Sequence, residues 1–331
     1  MEFYRAGLGL ALAAGCAFPM SAMPFDGVIE VFPKRPITLV VGYSPGDAPD
    51  VVARHLAQEM SEDLGQKVVV ANRPGAAGNI GAASVAKADP DGYTVFMAVR
   101  PVALHKVMYQ QVQYDFAKDL VPVGMMVRVP YVLVMGKHVA AMTLQEAVTL
   151  TSDNPGKYTC ASGGLGSTNH LICEALKEKA GMPWLHIPYS GGTAALTDVL
   201  GGRADFVVAA VTEALPYIAA GSVHPLAVFS DGRVPTISGV PNIDEFGFAE
   251  ISAHGWCALV APTGTPWHAI ARLNQSLNKA LSNVEVREKL VDLGFVLPSS
   301  TNTPEALATF MVEDTETWTG VLEQTRIRGL Q

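Results

Sequence analysis

The chain has 331 residues, of which 49% are hydrophobic and 16% are charged, and its formal net charge is −8 at pH 7. A chain of this length can bury a large core, and the length favours two domains over one. The negative charge and the lack of a Lys/Arg cluster exclude a protein that binds nucleic acid through a basic face.

Residues 1–22 have the pattern of a secretory signal peptide. Arg5 supplies the positive charge, residues 6–17 form a short apolar segment, and Ser21 and Ala22 are small residues suited to cleavage. The apolar segment is too short to span a bilayer. We therefore expect an exported protein, cleaved near Ala22 and located in the periplasm. A lipid anchor at Cys16 is the less favoured alternative, because the position three residues before it is not Leu.

A buried strand, a glycine-containing turn and a helix make up the first predicted unit. Residues 37–41 are apolar and largely β-branched, as in a buried strand. The turn contains Ser44, Pro45, Gly46 and Asp47. Apolar side chains then recur every fourth residue along one helix face, at Val52, Leu56, Met60 and Leu64.

Asp50 is the predicted N-cap of this helix, since its carboxylate can accept from the free amides of the first turn. A strand that leads into a helix through such a turn directs backbone amides to one point and favours an anion there, carboxylates included. The alternative is an ordinary strand-to-helix connection without a ligand.

Two more strands, at 68–70 and 93–99, follow in this half of the chain. A Gly-rich turn at 72–81 and a short helix at 82–87 lie between them. The alternation of strands and helices predicts a parallel, doubly wound α/β lobe with its binding crevice at the C-terminal ends of the strands. Arg100 follows the third strand and is predicted to lie at that crevice.

A second α/β lobe is predicted to begin with a strand near Tyr131. Thr143 and Glu146 form a capping box at the start of the next helix. A strand at 158–162 then runs into a turn and a helix start whose candidate binding residues are Gly163, Gly164, Gly166, Ser167 and Thr168. One anion-binding turn in each lobe predicts a cleft that holds a ligand from both sides. Tyr189, after the next strand, either lines this cleft or packs beneath it.

Two segments of the chain are expected to build the first lobe. A strand at 256–261 and helices at 266–281, 285–293 and 303–324 follow the second lobe. We expect residues 30–128 and 255–331 to form lobe 1, and residues 129–254 to form lobe 2. Ligand binding is then expected to close the two lobes.

The motifs, taken in order, resemble those of the Bug-type solute receptors of tripartite tricarboxylate transporters. The resemblance covers nearly the whole mature chain. The matching stretches are 35–37, 44–46, 50–54, 72–75, 78–81, 91–94, 154–156, 161–170, 188–205, 261–266 and 272–274.

This resemblance implies a type II periplasmic binding protein, a Venus flytrap of two α/β lobes, each a doubly wound sheet flanked by helices. It implies capture of a small carboxylate-containing metabolite, a carboxylic or amino acid, and delivery to the membrane permease of a tripartite tricarboxylate transporter. It also implies that backbone amides and ordered waters hold the ligand carboxylate in the first turn, at Ser44, Pro45 and Gly46, and in the second-lobe turn, at 163–168. A monomer is expected.

Two residues depart from the family pattern. Asp47 stands where the family usually has Gly, and Arg100 where it has Gly or a small hydroxyl residue. Asp47 either caps the first helix and faces solvent, or lies beside Arg100 in a site for a ligand with an ammonium or amide group and a carboxylate. The second alternative describes an amino acid better than a plain dicarboxylate.

Enzyme and cofactor motifs are absent from the sequence, so we expect a binding protein without cofactor or metal. A hydrolase that uses Ser167 and His170 is a weaker alternative, because no carboxylate is placed to orient the histidine. His170 and His186 are instead predicted to be structural. A periplasmic sensor that presents its ligand to a membrane kinase is the third class.

Removal of the signal peptide leaves Cys160, Cys173 and Cys257. Three thiols cannot all pair within one chain, and their spacing matches no zinc site. An oxidising compartment allows one disulfide, but buried free cysteines are the expected state.

Overall fold

The computed structural model describes residues 32–109, 111–230, 232–251, 254–298 and 301–323. The predicted signal peptide, its cleavage site and Cys16 lie outside these residues. No helix in the described part of the chain is both long enough and apolar enough to cross a membrane.

The first half of the chain alternates between strands and helices. Its elements are β1 (Ile37–Val41), α1 (Ala48–Leu64), β2 (Val68–Asn72), α2 (Asn79–Ala86), β3 (Thr94–Val99), α3 (Arg100–Ala103), α4 (His105–Met108), α5 (Phe116–Asp119) and β4 (Leu120–Val129). The predicted apolar face of α1 is buried at all four positions: Val52, Leu56, Met60 and Leu64. The helix begins at Ala48, so Asp47 and not Asp50 occupies the N-cap position.

The second half continues the alternation and ends with three helices. Its elements are β5 (Tyr131–Gly136), α6 (Leu144–Ser152), β6 (Thr159–Ser162), α7 (Thr168–Lys179), β7 (Leu185–Pro188), α8 (Gly192–Leu200), β8 (Phe206–Ala210), α9 (Val211–Ala219), β9 (Val223–Phe229), β10 (Gly255–Pro262), α10 (Trp267–Ser282), α11 (Val284–Asp292) and α12 (Pro304–Glu323).

These strands form two five-stranded sheets, in the orders β2–β1–β3–β10–β4 and β7–β6–β8–β5–β9. The predicted two-lobed α/β architecture is therefore confirmed. Neither sheet is wholly parallel, because β10 runs antiparallel to β3 and β4, and β5 runs antiparallel to β8 and β9. The chain passes from the first sheet to the second at Pro130, directly between β4 and β5.

The last helix, α12, contacts both lobes rather than lobe 1 alone. Leu307 and Met311 in its first half lie in the same buried cluster as the first sheet. Trp318 and Leu322 in its second half lie in the buried cluster of the second sheet. The helix thus ties the two lobes together on one side.

Cys160 and Cys173 form a disulfide, whereas Cys257 is free and buried. Cys160 is in β6 and Cys173 is in α7, which packs back onto the same sheet. Their Cα atoms are 6.5 Å apart, within the range that a disulfide bridges. The expectation that all three cysteines are free is therefore wrong for this pair.

Candidate functional site

A groove of about 580 Å³ lies between the lobes. The turn after β1 lines one wall, together with the Gly-rich segment after β2. The turns after β6 and β7 line the other wall. Of the predicted binding residues, the groove is lined by Ser44, Asp47, Gly163, Gly164 and Tyr189. The strand ends of both lobes thus bring these residues together.

A second cavity, of only about 20 Å³, adjoins the groove. The two spaces share Tyr43, Asp47 and Gly163. Thr168 and Asn169 also line the small cavity, and they lie in the first turn of α7, where backbone amides have no acceptor within the helix. This end of the site therefore offers amide donors from the second lobe.

Two amides of the first turn, those of Gly46 and Ala48, already have acceptors within the protein. Gly46 N donates to Asp50 Oδ2 at 2.9 Å, so the Asp50 carboxylate binds the turn although it is not the N-cap. Ala48 N donates to Glu213 Oε1 at 3.2 Å, across the two lobes. Pro45 has no amide hydrogen. Pro45 and Gly46 are exposed, and neither lines the groove or the small cavity.

Gly166, Ser167 and His170 serve the structure of the second-lobe turn. Ser167 is the N-cap of α7: its Oγ accepts from His170 N at 3.4 Å and donates to Gly164 O at 2.7 Å. His170 Nδ1 accepts from Gly166 N at 2.9 Å, which places the ring proton on Nε2. The imidazole is therefore held by the backbone and has no bond to the Ser167 hydroxyl.

His170 stacks on His186, with ring centroids 3.9 Å apart. Burial and the neighbouring His186 lower the pKa of His170 to about 3, and burial lowers the pKa of His186 to about 4. His186 Nε2 lies 2.7 Å from the Ser162 hydroxyl. Both rings are thus neutral and hydrogen-bonded parts of the second lobe, as predicted for structural histidines.

Arg100 lines neither interlobe cavity, in contrast to the prediction. It is 1% exposed, and its Nε and Nη2 donate to Asp314 at 3.0 Å and 2.7 Å. Nη2 also donates to His254 O at 2.7 Å, and the guanidinium stacks over the Trp318 ring. The physical reason is that α12 packs over α3 and covers this end of β3. The ligand role predicted for Arg100 is therefore not what this geometry supports.

Asp47 neither caps α1 through its side chain nor faces solvent. It is 4% exposed, and its carboxylate crosses to the second lobe, where Oδ1 accepts from Thr193 Oγ1 at 3.3 Å. Oδ2 has no hydrogen-bond partner among the described residues. Burial raises the pKa of Asp47 above its usual value.

Glu213 is the site residue that the sequence prediction missed. It lies in the first turn of α9, where an acidic residue is commonly an ordinary helix-start residue, so the sequence carries no signal for a cleft position. Its carboxylate lines the small cavity beside Asp47. Burial, and next the charge of Asp47, raise the pKa of Glu213 to about 7.

Comparison with known proteins decides the family. Residues 52–327 match the family model described as the tripartite tricarboxylate transporter family receptor. The chain belongs to this family. The resemblance inferred from the sequence motifs is thereby confirmed.

Individual members of the receptor family are similar over nearly their whole length. BugT of Bordetella pertussis is 35% identical over 325 residues, which are 96% of this chain and 96% of BugT. An R. palustris protein solved with adipate has a TM-score of 0.86 and 30% identity, over 90% of this chain and 100% of that one. MatC from Rhodopseudomonas palustris, solved with bound malate, has a TM-score of 0.83 and 29% identity, over 88% and 100%.

Proposed function

We propose that this receptor is a periplasmic solute-binding protein. It captures a small carboxylate-containing metabolite between its lobes and delivers it to the permease of a tripartite tricarboxylate transporter. The observation that carries the proposal is the interlobe groove, which is lined by glycine-rich turns from both lobes. The adipate and malate bound by two relatives support the carboxylate class.

The proposed binding residues are those that line the two interlobe cavities. They are Ser44, Asp47, Gly163, Gly164, Thr168 and Tyr189. Thr168 lies at the N-terminus of α7, where the helix favours an anion. A ligand that touches both lobes binds the closed arrangement better than the open one, and this difference in affinity drives closure.

The hydrolase alternative lacks an activated nucleophile. The Ser167 hydroxyl donates to the Gly164 carbonyl at 2.7 Å, and the ring nitrogen Nδ1 of His170 is occupied by the Gly166 amide. A general base must lie within hydrogen-bonding distance of the hydroxyl proton that it removes. These contacts favour a receptor over an enzyme.

Calorimetry with adipate, malate and other small carboxylic and amino acids tests the proposal. We expect one acid molecule to bind per chain and to be recovered chemically unchanged by mass spectrometry. Ser190→Trp should weaken this binding at least about tenfold, because Ser190 is exposed and lines the groove, so the indole fills the ligand space. Ser222→Trp, at an exposed serine of the second lobe away from the groove, should bind as the unmodified protein does.

Binding of none of these acids would contradict the proposed function. Equal affinity in Ser190→Trp would contradict the proposed location of the site. Conversion of an acid to a product, abolished by Ser167→Ala, would establish the hydrolase instead.

A further inference from the structure

Two carboxylates from different lobes meet at the small interlobe cavity. Asp47 belongs to the turn after β1, and Glu213 belongs to the first turn of α9. Both side chains contact the same turn, at Gly191 and Gly192. A Cβ built at Gly191 would lie 2.7 Å from Asp47 Oδ2. A Cβ built at Gly192 would lie even closer to Glu213 Oε2. Each carboxylate is thus in a confined position that a larger side chain at either glycine would block.

These carboxylates have few compensating partners. Glu213 accepts from the amides of Ala48 and Ala210, at 3.2 Å and 3.4 Å. Asp47 lines the cavity and is 96% buried, and its Oδ2 has no hydrogen-bond partner among the described residues. None of the residues that line the cavity is Lys, Arg or His. Neutral amides at the start of α7 line this cavity as well, but buried carboxylates also require a counter-charge.

The chain's own candidate for that cation is already paired. Arg100 donates from Nε and Nη2 to Asp314, at 3.0 Å and 2.7 Å, and it lines neither cavity. The described residues also contain no group of three or more His, Cys, Asp or Glu that could hold a metal ion. The missing positive charge is therefore expected to arrive with a ligand.

The space fits a single small polar group. A cavity of about 20 Å³ has room for about one water-sized group, and an ammonium is of that size. Because this cavity shares Tyr43, Asp47 and Gly163 with the large groove, a ligand in the groove can extend one end into it. The rest of the ligand, its carboxylate included, then lies along the glycine-rich turns that line the groove, beside Ser44, Gly163 and Gly164.

We propose that Asp47 and Glu213 form a subsite for an ammonium group, so that the preferred ligand is an amino acid or another amino carboxylate rather than a plain dicarboxylate. This inference rests on the proposed function, since it requires a ligand in the interlobe groove. Asp47 Oδ2 supplies the acceptor that is free in the closed structure, and Glu213 supplies the second negative charge.

Matched acids that differ by the ammonium test the subsite. Calorimetry at pH 7.5 on the full mature protein compares L-glutamate with glutarate and L-aspartate with succinate, pairs that differ by an added ammonium. It also compares 6-aminohexanoate with adipate, a pair in which the ammonium replaces one carboxylate. We expect the acid that binds most tightly among the six to carry an ammonium. It should bind at least about tenfold more tightly than the dicarboxylate of its pair, as expected for charge-assisted hydrogen bonds. Asp47→Asn and Glu213→Gln should each reduce that preference about tenfold, whereas Asp153→Asn, at an exposed acid of lobe 2, should preserve it.

Tighter binding of the plain dicarboxylates by the unmodified protein would overturn the ammonium subsite and leave the proposed function standing. An ammonium preference that survives unchanged in both variants would likewise overturn the subsite alone. If none of the six acids binds, the ammonium subsite is overturned, and binding across the wider series of acids that includes malate decides the proposed function. If either variant is unstable, the comparison within the acid pairs on the unmodified protein decides alone.

Discussion

Arg100 and Asp47 are both buried, yet only Arg100 is paired with an opposite charge. Its partner Asp314 is 9% exposed and also accepts from the indole N–H of Trp256 at 2.8 Å. The ion pair between Arg100 and Asp314 connects α12 to the end of β3. Asp47 instead lies at the cleft, where its Oδ2 has no hydrogen-bond partner among the described residues. Arg100 therefore serves packing, whereas Asp47 lines both interlobe cavities.

Asp314→Asn should lower the free energy of unfolding by about 3–5 kcal/mol, because it leaves the Arg100 charge buried without its counter-charge. Urea denaturation measures this change. Glu316→Gln, at an exposed position on the same helix, is the control and should change the stability by less than about 0.5 kcal/mol. A loss of stability as small as that of the control would show that Arg100 does not depend on Asp314.

Glu213 should make the stability of the protein depend on pH. Burial raises its pKa to about 7 from an ordinary value of 4.5, so between these limits the folded protein keeps a proton that the unfolded chain has released. The contribution of Glu213 to stability is therefore fully present below pH 4.5 and is lost as the pH rises through 7.

Thermal unfolding of the unmodified protein and Glu213→Gln from pH 5 to pH 8 tests this linkage. The two proteins should have similar Tm values near pH 5, and the variant should become the more stable one towards pH 8. The buried histidines titrate equally in both proteins and cancel in the comparison. A difference in Tm that does not change with pH would contradict the raised pKa.

At the scale of elements, local units were predictable and long-range contacts were not. The four-residue spacing of the apolar side chains in α1 and the capping box of α6 are encoded by neighbouring residues. Within that capping box, Glu146 N donates to Thr143 Oγ1 at 3.2 Å. The antiparallel direction of β10 depends instead on how the chain re-enters the first sheet after it has formed the second lobe. The bond between Arg100 and Asp314 joins residues 214 positions apart, and no local pattern encodes such a contact.

The candidate site shows the same division. Glycine-rich turns after strands are local signals, and several of the segments that they single out line the groove. Which side chain of a turn enters the cleft depends on the other lobe. Asp47 is directed by Thr193, and Glu213 by the amide of Ala48, so neither position could be read from its own neighbours.

The close approach of two turns makes Gly42 a sensitive position. It follows β1, and a Cβ built on it would lie 2.6 Å from Gly78 Cα and 2.9 Å from Gly78 O. Because these are backbone atoms, they cannot rotate away. Gly42→Ala should therefore push the two loops apart and lower the free energy of unfolding by about 1–3 kcal/mol.

Gly320→Ala is the matched control for this substitution. Gly320 lies in α12 with no atom near its ideal Cβ position, so alanine should raise the free energy of unfolding by about 0.5–1 kcal/mol through helix propensity. Urea denaturation of both variants measures the two changes. Equal effects of the two alanines would contradict the close backbone approach at Gly42.

At the scale of the whole molecule, the side-chain hydrogen bonds described between the two walls of the cleft include one of 3.1 Å, from Tyr109 Oη to Leu165 O, and three longer ones. Ser44 Oγ donates to Ser190 O at 3.3 Å, Thr193 Oγ1 to Asp47 Oδ1 at 3.3 Å, and Ala48 N to Glu213 Oε1 at 3.2 Å. Hydrogen bonds of this length lie at or beyond the upper end of the usual range and stabilise the closed arrangement weakly. A bound ligand therefore has to supply much of the closing free energy.

Small-angle scattering should accordingly give a smaller radius of gyration with a saturating acid than without it, using the acid of highest affinity in the calorimetric series. Gly191→Ala should diminish this contraction, because its Cβ would lie 2.7 Å from Asp47 Oδ2 across the closed cleft. Gly239→Ala, at an exposed glycine with no atom near its ideal Cβ position, should contract as the unmodified protein does. If the scattering profile of the unmodified protein does not change at a saturating acid concentration, ligand-driven closure is excluded. If Gly191→Ala contracts fully, only the close interlobe contact at that glycine is excluded.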